Sequence, residues 1–303
     1  MTFGAKILHS VSYAGTWGQP LLSLEAFIDK AADLGFDGVL LAAKRPHLSV
    51  LDYDTAACTA LRRKLEARHL GTVVVAGYTN FTGDLEHGDI PNREMQVQHV
   101  TEMARMAHDL GGSMVRVFTG YENPAASYGA QWNLLVAALR ECARRAARYG
   151  VTVGVQNHHD IAAGWETMYD LIQAVGEPNC RTMFDAWSPF LHGSDLAEAA
   201  RKMAPVTCHT TIADYQLRPR YRYQPALVNY VKETAFVQAV AMGDGAIDYR
   251  SFLGGLDAGG FHGSVAYEMC SPLLDGPAME TLDGYARRFL EYMQGLQAAA
   301  QTA

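Results

Sequence analysis

Eight times along this chain a short run of aliphatic and β-branched residues gives way to a stretch with apolar residues at helical spacing. The runs are KILHSVS (6–12), GVLLAA (38–43), TVVVAGYT (72–79), MVRVFTG (114–120), VTVGVQN (151–157), RTMFDAW (181–187), VTCHTTIAD (206–214) and SVAYEMC (264–270). Helical stretches are expected over 23–35, 54–70, 92–110, 131–149, 164–175, 195–203 and 278–298. Ser23 and Asp54 stand where an N-cap belongs, and Gly35, Gly71, Gly111 and Gly150 where a helix stops. Apolar runs without polar alternation are strands buried on both faces, as in a parallel sheet covered by helices. Eight such units over 303 residues predict an α/β fold, a (β/α)8 barrel formed by residues 1–303 as a single domain. The rival is a doubly wound open sheet, but no Gly-x-Gly-x-x-Gly follows the first strand.

One segment exceeds a minimal barrel. Residues 215–247, rich in Tyr and Arg, separate the seventh strand from the last helix–strand unit. An insertion of that length after a barrel strand suits an aromatic lid or a subunit contact, and equally a surface excursion whose tyrosines cover core. The net charge of −7 and the lack of a long basic run argue against nucleic acid or an anionic membrane as partner. Five scattered cysteines with no Cys-x-x-Cys pair fit free thiols in a reducing cytosol. The first residues, MTFGAKILHS, lack the apolar stretch of a signal peptide, and a cytoplasmic location is expected.

In a parallel barrel all strand C-termini face one mouth. Gln156, Asp185, His209 and Glu268 stand near the ends of the fifth to eighth runs, so their side chains are expected to meet there. Polar groups in otherwise apolar strands are costly to bury without partners. Two carboxylates, an imidazole and an amide oxygen suit Mn²⁺ or Mg²⁺. Taken singly, each residue is more simply a core histidine or a helix cap. His158, two residues past Gln156, would point the same way and serve as a base. Arg116, His9, Tyr78 and His47 are candidates for holding substrate, with Lys44, Arg45 and Asn80 at the same mouth. Cys208 and Cys270 are expected to pack away from the site.

On these residues the chain resembles the xylose-isomerase-like barrel superfamily of sugar isomerases, sugar epimerases and barrel-type abasic-site endonucleases. That resemblance implies a metal cluster of Glu, Asp, His and Glu on strands five to eight, matched here by Gln156, Asp185, His209 and Glu268. Two departures stand out. An amide at position 156 cannot exchange a proton, which puts two-glutamate epimerisation in doubt. Asp185 is followed by Ala186, Trp187 and Ser188, so the Asp-x-x-His of many family epimerases is missing. The Gln-x-His unit, the aromatic insertion and AMGDGAIDY resemble the larger subunit of bacterial C-glycoside deglycosidases, which act beside a small β-rich second subunit. The implied activity is a metal-dependent lyase acting on a 3-oxo sugar glycoside: His158 takes the C2 proton and the aglycone leaves by β-elimination. The alternatives are a keto-sugar isomerase or epimerase using Glu268, and a barrel that binds without catalysing. A homo-oligomer is as compatible with the insertion as a second subunit.

Overall fold

The computed structural model describes residues 1–301. In chain order the strands are β1 (Lys6–His9), β2 (Gly38–Ala42), β3 (Thr72–Ala76), β4 (Met114–Val117), β5 (Thr152–Gln156), β6 (Cys180–Met183), β7 (His209–Ile212), β8 (Tyr215–Gln224), β9 (Asn229–Ala239) and β10 (Ser264–Tyr267). The helices are α1 (Leu24–Leu34), α2 (Thr55–Ala67), α3 (Asn92–Asp109), α4 (Tyr128–Ala147), α5 (Trp165–Val175), α6 (Trp187–Leu191), α7 (Leu196–Met203), α8 (Tyr249–Ala258) and α9 (Met279–Gln301). Eight strands pair in parallel in the order β6-β5-β4-β3-β2-β1-β10-β7. A parallel bridge between Thr182 and Thr207 joins the two ends of that order into a ring. The fold is a TIM barrel, as the alternation predicts. Among the described residues no helix is long and apolar enough to cross a membrane.

Local chemistry sets the helix limits. Ser23 accepts the amide of Ala26 at 3.2 Å and Gly35 ends α1 at φ 92°. Asp54 likewise caps α2 at 2.8 Å. That helix stops at Ala67, before Gly71, because His69 takes the left-handed conformation at φ 58°. α4 starts three residues before its expected first residue, on a cap from Ser127.

Two apolar shells result. The larger lies between sheet and helices. The smaller, inside the barrel, is built from Ile7, Leu40, Val74, Ala76, Met183 and Ala266. Above this plug the inward positions become polar, and the mouth begins there. The strands are shorter than the apolar runs that announce them. Gln156 ends β5, Asp185 lies two residues past β6, and Glu268 follows β10 directly, whereas His209 is the first residue of β7.

Residues 215–239 form an antiparallel ribbon, β8 with β9, that stands apart from the barrel sheet. Buried Asp214 anchors its root. Its carboxylate accepts the amides of Gly243, Gly245 and Tyr215 at 2.9, 3.0 and 3.0 Å.

Gly38 sits where β2 passes β3, and a Cβ there would run into the carbonyl oxygen of Thr72. Gly38→Ala is therefore expected to destabilise the barrel by about 1–3 kcal/mol, the usual range for overpacking. Urea unfolding of the two proteins measures it.

Candidate functional site

A cavity of about 160 Å³ opens at the C-terminal rim on the β5–β10 side. Gln156, His158, Asp185, Thr211, Glu268 and Cys270 supply its polar lining, and Trp187, Tyr215, Val237 and Tyr249 its apolar wall.

Gln156 and Asp185 are both buried, and the Gln156 amide donates to Asp185 Oδ2 at 2.6 Å. The Trp187 amide donates to Oδ1 at 3.1 Å. Asn157 fixes the backbone here: its Oδ1 accepts the Asp185 amide at 2.8 Å and its Nδ2 donates to the Asp185 carbonyl at 3.1 Å. Burial raises the Asp185 carboxyl to about 7, the Gln156 hydrogen bond opposing the rise and the Glu268 charge adding to it. Glu268 is raised by burial too, while Arg116 and the Cys270 thiol pull it down. Beside these carboxylates Gln156 Oε1 and Thr211 Oγ1 are buried with no hydrogen-bond partner among the described residues.

Arg116 lies behind this lining as a buried guanidinium with no ion-paired carboxylate among the described residues. It donates to His9 Nε2 at 3.3 Å and to the Gly77 carbonyl at 3.4 Å. Its guanidinium carbon lies 4.4 Å from the Phe118 ring centre and 5.0 Å from that of Tyr78. Lys44 caps the Tyr78 ring at 3.9 Å. An Nε2 that accepts from Arg116 assigns His9 the neutral tautomer whose Nδ1–H meets the Leu40 carbonyl at 3.0 Å. Burial and Arg116 keep the His9 pKa well below the ordinary value, and Glu268 lies 3.7 Å from its Nε2.

Four of the residues singled out in the sequence meet in the cavity: Gln156, Asp185, Glu268 and His158. His158 is open at the mouth, with its ring stacked on Phe118 at 4.6 Å. Packing there, with His159 and Arg116 nearby, lowers its pKa to about 4. His9 and Arg116 form the support behind the carboxylates, and Tyr78 stands between Arg116 and Lys44. His47 serves the outer shell, with its ring against Phe27 and Nε2 at 3.2 Å from the Leu22 carbonyl.

His209 departs from expectation. It pairs with Ser264 and Thr211 with Ala266, so Glu268 stands four residues above the His209 level. At the rise of a strand that is roughly 13 Å. The His209 ring is buried beneath the cavity, its Nδ1 2.8 Å from Ser264 Oγ and its Nε2 without a partner. The strand-seven residue that lines the cavity is Thr211. Among the described residues no three His, Cys, Asp or Glu side chains gather as a metal cage.

Cys270 also departs from expectation. It lines the cavity, donates from Sγ to Glu268 Oε1 at 3.3 Å, and lies 2.6 Å from the Tyr215 hydroxyl. Its spacing of two from Glu268 was the available signal. Nothing in the sequence announces Trp187 or Tyr249 as wall residues, because both come from connections whose path only the closed barrel defines.

The family profile described as xylose isomerase-like TIM barrel matches residues 28–292. Fructoselysine 3-epimerase of Escherichia coli O157:H7 is 19% identical over 289 residues, covering 93% of this chain and 96% of its own. Among solved structures, an L-ribulose 3-epimerase superposes with a TM-score of 0.76 at 18% identity, covering 99% of this chain and 97% of its own. D-psicose 3-epimerase from Clostridium cellulolyticum H10, solved with D-tagatose, gives 0.74 at 16% identity, covering 96% and 99%. At such identities the likeness of the structures is one of fold.

The thiol link to Glu268 is testable by itself. Cys270→Ala leaves the buried Tyr215 hydroxyl without its sulfur partner and is expected to cost about 1–3 kcal/mol. Cys270→Ser keeps a donor there and is expected to cost clearly less. Thermal melts of the three proteins make the comparison.

Proposed function

The chain belongs to the xylose isomerase-like TIM barrel family, and from that premise we propose that it is a keto-sugar isomerase or epimerase assisted by a divalent cation. The observation that carries the reading is the meeting of Gln156, Asp185, Glu268 and His158 around one cavity at the barrel mouth. The 3-epimerases among its relatives support it.

The donor set fits a hard cation. Asp185 and Glu268 supply carboxylates, and Gln156 Oε1 and Thr211 Oγ1 are buried oxygens in want of a partner. These four would hold Mn²⁺ or Mg²⁺, with His209 left to the layer beneath. Such an ion supplies charge stabilisation to an enolate that forms when a proton leaves the carbon next to a carbonyl. The chain's own residues do the rest. Glu268 and His158 come from walls three barrel strands apart and can address the sugar carbon from two directions. One takes the proton and the other returns one, which inverts the carbon or moves the carbonyl. Gln156 orients Asp185 and exchanges no proton. Trp187, Tyr215 and Val237 shield the reacting face from water.

Gln156 also favours a second reading, a lyase acting on a 3-oxo C-glycoside in the manner of the larger C-glycoside deglycosidase subunit. A β-elimination needs a single base, so the loss of a carboxylate at strand five would not impair it. His158 would take the C2 proton, the electron pair would break the C1–aglycone bond, and the departing aglycone carbon would take up a proton from solvent.

Incubation with free ketoses and with a 3-oxo C-glycoside in D₂O, with Mn²⁺ or Mg²⁺ added, separates the readings by NMR. Deuterium beside the carbonyl with inversion or carbonyl migration in a ketose supports the isomerase or epimerase. Aglycone release without ketose turnover supports the lyase, and failure of both overturns the enolate chemistry. Asp185→Ala is expected to abolish the rise in melting temperature on adding Mn²⁺ that the unsubstituted protein shows. His158→Ala is expected to keep that rise while lowering turnover by about 10² or more, the scale for losing a general base. Full activity in His158→Ala would remove that residue from the mechanism.

A further inference from the structure

Either Glu268 or His158 could take the first proton from a sugar bound at the mouth. The hydrogen bonds around His158 decide between them. Its Nδ1 lies 2.8 Å from the His159 backbone nitrogen and 2.9 Å from His159 Nδ1. A backbone N–H only donates, so His158 Nδ1 accepts and carries no proton. A doubly protonated ring is excluded by the same contact. The second contact then has one solution: His159 Nδ1 bears its hydrogen and donates to the same nitrogen. With Nδ1 bare, the one ring proton of His158 sits on Nε2.

His159 is fixed from several sides. Its backbone is left-handed at φ 71°, uncommon for a residue with a side chain and kept only where the surroundings enforce it. Its ring stacks on Tyr121, with centres 4.3 Å apart and planes at 19°, and leans on Phe118 at 4.6 Å. The loops that carry these residues are tied together. Thr119 Oγ1 donates to the His158 carbonyl at 3.0 Å, and the Glu122 amide to Asp160 Oδ2 at 3.0 Å. The Asp160 amide donates to the Gly120 carbonyl at 3.3 Å, and the His158 amide turns back on the Gln156 carbonyl at 2.7 Å.

His158 lines the cavity, and His159 stays outside the lining. The ring edge turned to His159 carries Nδ1, so the nitrogen left for a ligand is Nε2, with its hydrogen. Sugar carbonyl and hydroxyl oxygens accept such a hydrogen. Taking a proton from carbon requires a free lone pair, which the Glu268 carboxylate has and an Nε2–H lacks.

We propose that His159 is a positioning residue: its ring and backbone N–H groups hold His158 as the Nε2–H tautomer, so that His158 meets the sugar as a hydrogen-bond donor to the oxygen beside the reacting carbon, and Glu268 takes the proton. This assignment rests on the isomerase or epimerase reading, since the lyase would need His158 Nε2 bare. A neutral imidazole donor aimed at an oxygen where charge develops stabilises that charge without itself giving up a proton.

Long-range proton–nitrogen correlation NMR on the full chain, labelled with ¹⁵N in histidine, reports which ring nitrogen bears hydrogen. His158→Gln identifies the His158 signals by their loss. The expected result near neutral pH is His158 protonated at Nε2 and His159 at Nδ1. His159→Phe keeps a ring against Tyr121 and removes its donor. It is expected to shift the His158 Nδ1 signal and to lower kcat on a ketose by about 10-fold, the scale of one lost hydrogen bond, with KM changed much less. His159→Asn, whose amide N–H replaces the ring N–H, is expected to restore most of both. A His158 bare at Nε2 in the unsubstituted protein overturns the proposal, as does an unchanged His158 Nδ1 signal in His159→Phe. Equal losses in His159→Asn and His159→Phe would mean packing alone and overturn it too. The NMR measurement needs no substrate, so it decides the tautomer even where no ketose turns over and the reading of the reaction fails.

Discussion

The mouth of this barrel depends on one buried cation. Arg116 points into the interior from β4 with no carboxylate in ion-pair contact among the described residues, yet its charge reaches Asp185 and Glu268, both desolvated. Removing charged groups from water costs several kcal/mol per ion after relaxation. A guanidinium lying over aromatic rings bears such a cost best, because it is weakly hydrated and stacks. Burial, with the Arg116 charge beside it, keeps His9 neutral, and His9 in turn places its Nε2 beside Glu268. Phe118 meets Tyr78 edge to face and stacks on His158 toward the mouth.

The two sides of the mouth consequently differ in character. Toward β2–β4 lie Lys44, Tyr78 and Arg116, cations alternating with ring faces. Toward β6, β7 and β10 lie Asp185, Thr211 and Glu268, oxygens with lone pairs to spare. A ligand in the cavity meets hydrogen-bond acceptors on one side and a positive field from the other. That polarity favours a group on which negative charge develops.

Periodicity carried the fold. Eight apolar runs, with caps such as Ser23 and Asp54, were enough to predict the barrel, because parallel strands must be buried on both faces. The site was legible where strand ends and polar residues coincide, at Gln156, Asp185 and Glu268. His209 shows why the rest was hidden. In VTCHTTIAD the apolar run does not reveal where pairing begins, and that register decides whether His209 or Thr211 stands at the mouth. His47 was hidden by a turn that carries it back to α1. Cys270 was hidden by composition, since a cysteine in an apolar run reads as packing until its neighbours are placed.

Tyr215 belongs to two structures at once. It is the first residue of β8, and its hydroxyl shares the Cys270 sulfur that donates to Glu268. Asp214, one residue earlier, clamps the return of the chain at Gly243 and Gly245. The ribbon and the Glu268 carboxylate therefore share one chain of contacts, so that a displacement at the root of β8 displaces the thiol that meets the carboxylate.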